Sequence, residues 1–335
     1  MSLNYQNLAI ANTIQFNREF YEAVQYDTSQ LEQLISSANK KTLKDKFGLV
    51  NYIGTTEVTT KQGEYQQSQP DALTISQREY RWSSFTKQLT YSRDIIAQSG
   101  QTFGTEAFFQ TQNMTELKNA IARAKEKAIF DAIAAETIDI KGNNVKAPFN
   151  ILGTATLRKK YTIWADAAGV SAGIPETETG TKTGLTVEKI LLAKSLMSLN
   201  NKSTSFGKPY LLVTENEKIQ LLNDAKATNF DYTSKRTLDG GNIEEIVGVQ
   251  LITLDPSFFN VTGSVGNKVR DLYMITPETM AIVKPEEPVW KTGENPAASF
   301  QPIVHLEFSY GATRIRDEQF LRIRAAVNPN ELPYS

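Results

Sequence analysis

One histidine and no cysteine among 335 residues leave little from which an active site could be assembled. His305 lies in an alternating stretch, on the side of a strand shared with Ile303 and Glu307, while Val304, Leu306 and Phe308 take the other side. It reads as a polar-face residue, because a general base needs a partner to orient it and no second histidine exists. The same shortage removes catalytic triads, HExxH zinc sites, thiol catalysis and disulfides. Gly180-Thr181-Lys182-Thr183-Gly184 looks like a phosphate cradle, but it lacks the GxxxxGK[ST] order and a preceding strand, so it reads as a flexible connection. Glu244 with Glu245, and Glu286 with Glu287, are paired carboxylates without a recognisable pocket between them, which leaves glycosidase chemistry unsupported. No catalytic, cofactor-binding or metal-ligating residue emerges, and no cofactor is expected.

Composition points the same way. Hydrophobic residues make up 40% and charged residues 22%, which is globular material able to bury a large core. Thirty-six Lys and Arg stand against 37 Asp and Glu, a net charge of −1, so an affinity built mainly on phosphate neutralisation is not expected. The N-terminus lacks a basic stretch ahead of an apolar core, and no run of 18 apolar residues occurs. A soluble chain made in the cytosol is the expectation.

The elements that would carry these residues are organised around one helix. Asn113 and Glu116 form a capping-box start, and neither Gly nor Pro interrupts the chain from there to Gly142. Over about 23 residues this gives a rod of roughly 34 Å. Met114, Leu117, Ile121, Ala124, Ala128 and Ala135 share a stripe of mostly small residues, expected to pack closely, while Ile129, Phe130 and Ile133 point elsewhere. Before it, Phe20, Val24, Leu31, Leu34 and Ile35 mark an amphipathic arm followed by Lys40, Lys41, Lys44 and Lys46, which read as a solvated face. Val50 to Thr60 and Leu73 to Tyr91 are strand-like around a polar stretch, predicting a projecting hairpin with tip 54–78.

After the helix come strand 137–140, a Gly142-Asn143-Asn144 turn and an apolar segment through Ile163 and Trp164. Residues 169–184, with four Gly and one Pro, form a loop without a core of its own. Thr186 caps a helix to about Leu199, with Val187, Ile190 and Met197 on one face and Leu192, Leu196 and Leu199 on another, so burial on two sides is expected. The apolar run 209–214 is a strand, and Thr214 with Glu217 is a second capping box. Strands follow at Ile243–Leu254 and Leu272–Ile275, then Thr276-Pro277 as a helical start. Pro285, Pro288, Gly293 and Pro296 mark a return path to a closing hairpin, Ile303–Ile315 and Phe320–Val327, with Leu321, Ile323, Ala325 and Val327 alternating on one face of the second strand.

This order of parts resembles the major capsid proteins of tailed bacteriophages, the Hong Kong 97-like fold. The phrases that carry the likeness are EFYEAVQYDTSQLEQLI, TVEKILLAKSLMSLNN with KPYLLVTENEKIQLLND, GNIEEIVGVQLITLD, and YGATRIRDEQFLRIRAAV. The resemblance implies an α+β fold with an N-terminal arm (1–46) and an extended loop (47–98). It implies a peripheral domain (99–185 and 300–335) that includes the spine helix 114–136, and an inserted axial domain (186–299).

The function it implies is that of a non-enzymatic structural subunit, self-assembling into hexamers and pentamers of an icosahedral head that encloses double-stranded DNA. The expected partners are other copies, a separate scaffolding protein, a portal at one vertex, a decoration protein and weak non-specific contact with packaged DNA, with no membrane. The expected location is the virion, after assembly in the host cytoplasm. Some members of the family cross-link a loop lysine to an asparagine of a neighbour; Lys61 and Asn295 occupy roughly suitable regions, but no local motif fixes the match, and shells held non-covalently are expected. The alternatives are a tail or neck structural protein and a soluble sugar- or nucleotide-processing enzyme.

Overall fold

The computed structural model describes residues 29–35, 47–53, 75–90, 113–139, 143–147, 161–166, 181–200, 207–224, 245–263, 268–295 and 301–327. Its helices are α1 (Gln30–Leu34), α2 (Asn113–Ala134), α3 (Val187–Asn200) and α4 (Glu215–Leu222). Its first strands are β1 (Phe47–Ile53), β2 (Ile75–Arg81), β3 (Ser83–Thr90), β4 (Thr137–Asp139), β5 (Asn144–Val145), β6 (Thr162–Ile163) and β7 (Tyr210–Val213). The others are β8 (Glu245–Ile246), β9 (Val249–Thr253), β10 (Val261–Thr262), β11 (Val269–Ile275), β12 (Met280–Asn295), β13 (Gln301–Arg314) and β14 (Leu321–Ala326). Contacts divide the chain into two compact units. One holds Met1–Gly48, Tyr80–Ile129 and Ile282–Ala312; the other holds Leu49–Glu79, Phe130–Ala281 and Thr313–Ser335.

The second unit is built on a seven-stranded sheet ordered β6-β14-β11-β7-β9-β8, with β10 also on β11. β11 is antiparallel to β14, from Val269 opposite Ala326 to Met274 opposite Leu321, and antiparallel to β7. All seven of its residues are buried, as expected of a strand covered on both faces. In β14 the alternation read from sequence holds: Leu321, Ile323 and Ala325 are buried and Arg322 and Arg324 half-buried. β7 and β9 are parallel, joined by a crossover that begins with α4, whose Thr214–Glu217 capping box is present.

Four expectations need correction. The single strand Ile243–Leu254 is a hairpin: β8 and β9 pair Ile246 with Val249 across a two-residue turn in which Val247 and Gly248 have φ of 53° and 73°. Two positive φ values define the turn twist that hairpins favour, and glycine adopts it freely whereas valine is strained there. The return path through Pro285 and Pro288 is instead the 16-residue β12, at the edge of a three-stranded sheet ordered β12-β13-β3. An edge strand tolerates proline because one side of its backbone needs no ladder donor. Strand 73–91 is broken at Trp82: β2 joins a four-stranded sheet, β1-β2-β4-β5, and β3 pairs with β13. The closing hairpin does not form, because β13 and β14 belong to different sheets, separated by a 3₁₀ turn at Asp317–Gln319.

In the first unit β13 carries the predicted alternation, with Val304, Leu306 and Phe308 buried and Ile303, His305 and Glu307 half-exposed. Phe308 stacks on Phe85 of β3 at 5.1 Å. Of the arm, α1 is described; Ser29 caps it by accepting the Glu32 N–H at 3.1 Å, and Leu31 and Ile35 are buried. The four arm lysines and residues 54–74 lie outside the described residues.

The long helix exists, ending at Ala134, but of the expected stripe Ile121 is buried and the alanines are not, while the Met114 and Leu117 side chains lie outside the described residues. Ile121, Lys125, Ile129 and Ile133, spaced by four, are buried; Ala124 and Ala128 are half-buried and Ala135 is exposed. The branched residues displace the alanines because they remove more apolar area from water. In α3, Val187, Ile190, Leu192 and Met197 are buried as expected, but Leu199 is 74% exposed, so the second face is covered only in part.

Candidate functional site

The densest set of charges in the second unit gathers where α2 ends. Helix ends leave backbone carbonyls without intrahelical partners, and the last turn of α2 has no basic residue to meet them. Arg314, fully buried, supplies the donors: Nη1 donates to Ile133 O and Ala135 O, both at 2.9 Å, and Nη2 to Val145 O at 3.4 Å. Its Nε donates to Asp317 Oδ1 at 2.5 Å. The other oxygen of Asp317 accepts from Arg78 Nη2 at 2.8 Å, and Arg78 Nη1 donates to Thr137 Oγ1 at 3.0 Å. One carboxylate thus bridges two guanidiniums, and the surplus positive charge lies against the negative end of a helix.

The same unit buries other charges, which find partners within the chain. Glu217, fully buried, accepts from Arg270 Nη1 at 2.7 Å and from the Thr214 N–H at 3.1 Å. Lys189, fully buried on α3, donates to the carbonyls of Ala165 and Thr183, each at 2.9 Å, and of Arg324 at 3.3 Å. Gln220 accepts the Leu185 N–H at 2.8 Å and donates to Ala326 O; a Cβ on Gly184 would come within 2.5 Å of its Oε1, so any larger residue there would have to displace the Gln220 amide. The stretch that read as a flexible connection is therefore tied down at Thr183 to Leu185. Asp271 lies beside Arg324 at 3.1 Å and Arg322 at 3.6 Å. Burial, with Asp271 nearby, pushes the Tyr273 phenol up to about 12, and Arg322 opposes the shift.

In the first unit, Glu32 of α1 pairs with Lys125 of α2 at 3.6 Å and with Lys284 of β12. The Gln30 N–H donates to Glu126 Oε1 at 2.9 Å; burial raises the Glu126 carboxyl above its ordinary range, and that hydrogen bond opposes the rise. Lys125 also stands over the Tyr310 ring at 5.9 Å, and burial raises the Tyr310 phenol.

The residues weighed in the sequence do not converge. His305 is half-exposed, with Glu307 its nearest acid at 4.0 Å. Glu245 pairs with Lys208, and Glu244 and Lys61 lie outside the described residues. Glu286 and Glu287 lie within β12, and Asn295 ends it. Among the described residues no group of three or more His, Asp or Glu is placed to hold a metal, and no helix is long and apolar enough to cross a membrane. What the sequence did not single out are Arg78, Lys189, Arg270, Arg314 and Asp317. The signal available was a charge inside an apolar run, as in VRDLYMI and TVEKILLAK. Their chemistry is that of joints: each links segments distant in sequence.

Comparison with known proteins agrees with that reading. The family model described as phage capsid protein matches residues 9–327. Among solved structures, "Capsid of Ralstonia phage GP4" aligns with a TM-score of 0.63 at 11% identity, over 91% of this chain and 93% of that one. The capsid structure of Helicobacter pylori bacteriophage KHP30 aligns at 0.58 and 11% identity, over 89% and 91%. "Cyanophage Pam1 capsid asymmetric unit" aligns at 0.54 and 12%, over 84% and 85%. No curated protein matches the chain in sequence.

Proposed function

The chain belongs to the phage capsid protein family, and from that premise we propose that its copies form the hexamers and pentamers of an icosahedral head enclosing double-stranded DNA. It is a structural, non-enzymatic subunit with the Hong Kong 97-like fold. The observation that carries the finer reading is the family match across residues 9–327, joined to a fold shared over 91% of the chain with the Ralstonia phage capsid. Residues 1–46 act as the arm, 47–98 as the extended loop, 99–185 with 300–335 as the peripheral domain, and 186–299 as the axial domain. The pairing of β1 with β2 and the length of α2 support this division.

A separate scaffold protein directs assembly, a portal occupies one vertex, and a decoration protein binds the finished shell in the virion, which is built in the host cytoplasm. Contact with DNA is weak and non-specific, because a net charge of −1 gives little counterion release on binding a polymer that must slide. Shells are held non-covalently, so boiled, denatured particles run as one band at the mass of a single chain, and a ladder of multiples would refute this. Electron microscopy of the chain co-expressed with its scaffold tests the whole: closed shells are expected, tubes or isolated rings would favour a tail or neck component, and a compact monomer an enzyme.

A further inference from the structure

The β1–β2 pair joins the rest of its four-stranded sheet through β2, which lies beside β4. Among the described residues β2 meets β4 at Arg78 with Asp139 and Glu79 with Ile138. Hydrogen bonds outside the ladder hold the same two residues. Arg78 is held by Asp317 and Thr137, and the Glu79 carbonyl accepts from Thr313 Oγ1 at 3.2 Å. Asp317 is in turn fixed by Arg314, whose guanidinium is locked onto the carbonyls that end α2 and onto Val145 of β5. A buried guanidinium held at both ends, by Nη2 on a carboxylate and by Nη1 on a hydroxyl, has a defined plane and direction.

We infer that Arg78, Asp317 and Arg314 form a positioning joint that sets the angle at which the β1–β2 hairpin leaves the subunit, and thereby whether it reaches a neighbouring copy in the shell. The inference rests on the reading of residues 47–98 as an intersubunit loop. The joint lies within the second unit. It acts through the hairpin, by tying β2 to the end of the long helix and to the turn between β13 and β14.

Asp317→Asn leaves two buried guanidiniums without a carboxylate and can prevent folding outright, so the primary variant is Arg78→Met, which keeps the Arg314–Asp317 pair. Each variant is co-expressed with the scaffold, and closed particles are counted by electron microscopy per mole of folded soluble subunit. Arg78→Met is expected to reduce that yield at least tenfold and Thr313→Val about threefold. Arg270→Met, which breaks a buried pair elsewhere in the same unit, is expected to lower the melting temperature at least as much, yet leave the yield per folded subunit unchanged. Wild-type particle yield from folded Arg78→Met would overturn the joint, as would an equal loss of yield in Arg270→Met. A fourth variant, with residues 54–74 replaced by Asn-Gly, keeps the two apart: if it builds normal shells, the intersubunit reading of the loop fails, whatever Arg78 does. If it assembles no shells while Arg78→Met assembles normally, the loop reading stands and the joint alone is wrong.

Discussion

In the seven-stranded sheet, β11 is buried at every position from Val269 to Ile275, Arg270 and Asp271 included; in the three-stranded sheet, β3 is exposed or half-exposed at every position from Ser83 to Thr90. The first sheet has strands on both sides and its charges are paired within the chain. The second buries Val304, Leu306 and Phe308 of β13 on one face and leaves β3 open to water. A head subunit needs both kinds of region: a lobe that folds on its own contacts, and a surface whose side chains remain available to other copies. Destabilisation should therefore concentrate in the first region, and changes on β3 should leave the folded subunit intact.

The largest effect is expected from Arg270→Met. It strands the Glu217 carboxylate in a fully buried position, which should cost about 3–5 kcal/mol and be read as a fall in the urea midpoint. Tolerance equal to that of a β3 substitution would break the contrast. Next, Phe308→Ala removes the buried ring stacked on Phe85 and should cost about 3 kcal/mol, marking the one face of the three-stranded sheet that does resemble a core; a loss under half of that would mean this face too is dispensable. Val247→Asn should stabilise by about 0.5–1 kcal/mol, since asparagine accepts the positive φ that strains valine. An unchanged or lower melting temperature would show that the valine side chain contributes more than its strain. Lys87→Ser on β3 should stay within about 0.5 kcal/mol of the parent, so that any accompanying loss of particles reports a contact between copies.

The smallest effect is a pH dependence. Glu126 has its folded pKa raised, chiefly by burial, so between the unfolded and folded values the folded chain holds the extra proton and stability falls as pH rises through that window. Thermal melts of Glu126→Gln, which keeps an acceptor for the Gln30 N–H, should show a flatter dependence on pH than the parent just above the ordinary carboxylate range. Parallel curves would mean that the carboxyl titrates as an exposed one.

Much of the local structure was legible because it depends on near neighbours in sequence. The Thr214–Glu217 capping box, the long helix after Asn113, and the alternation in Leu321–Ala325 and Val304–Phe308 are each set by three- or two-residue spacings. Less legible were features whose partners lie far along the chain. The alanines of α2 looked like the packing face because spacing alone cannot tell which of two stripes meets other residues; beyond Ile121, which lies with them, Ile129 and Ile133 do. β12 was hidden by its prolines, which argue against a strand unless it is known to lie at an edge. The hairpin turn at Val247-Gly248 was hidden by a valine where asparagine is usual.

By itself, the sequence determined the class of the protein: a cysteine-free, near-neutral chain with one histidine, and with the order of elements of a phage capsid subunit. Those properties are composition and order, and folding cannot alter them. Which strands share a sheet, and which charges are buried, was decided only in three dimensions. β13 and β14 are adjacent in sequence yet lie in separate sheets, and Arg314 caps a helix that ends 180 residues earlier in the chain. Partners of that kind are chosen by which surfaces exclude water together and which polar groups would otherwise be stranded there, and neither quantity exists until the chain has closed on itself.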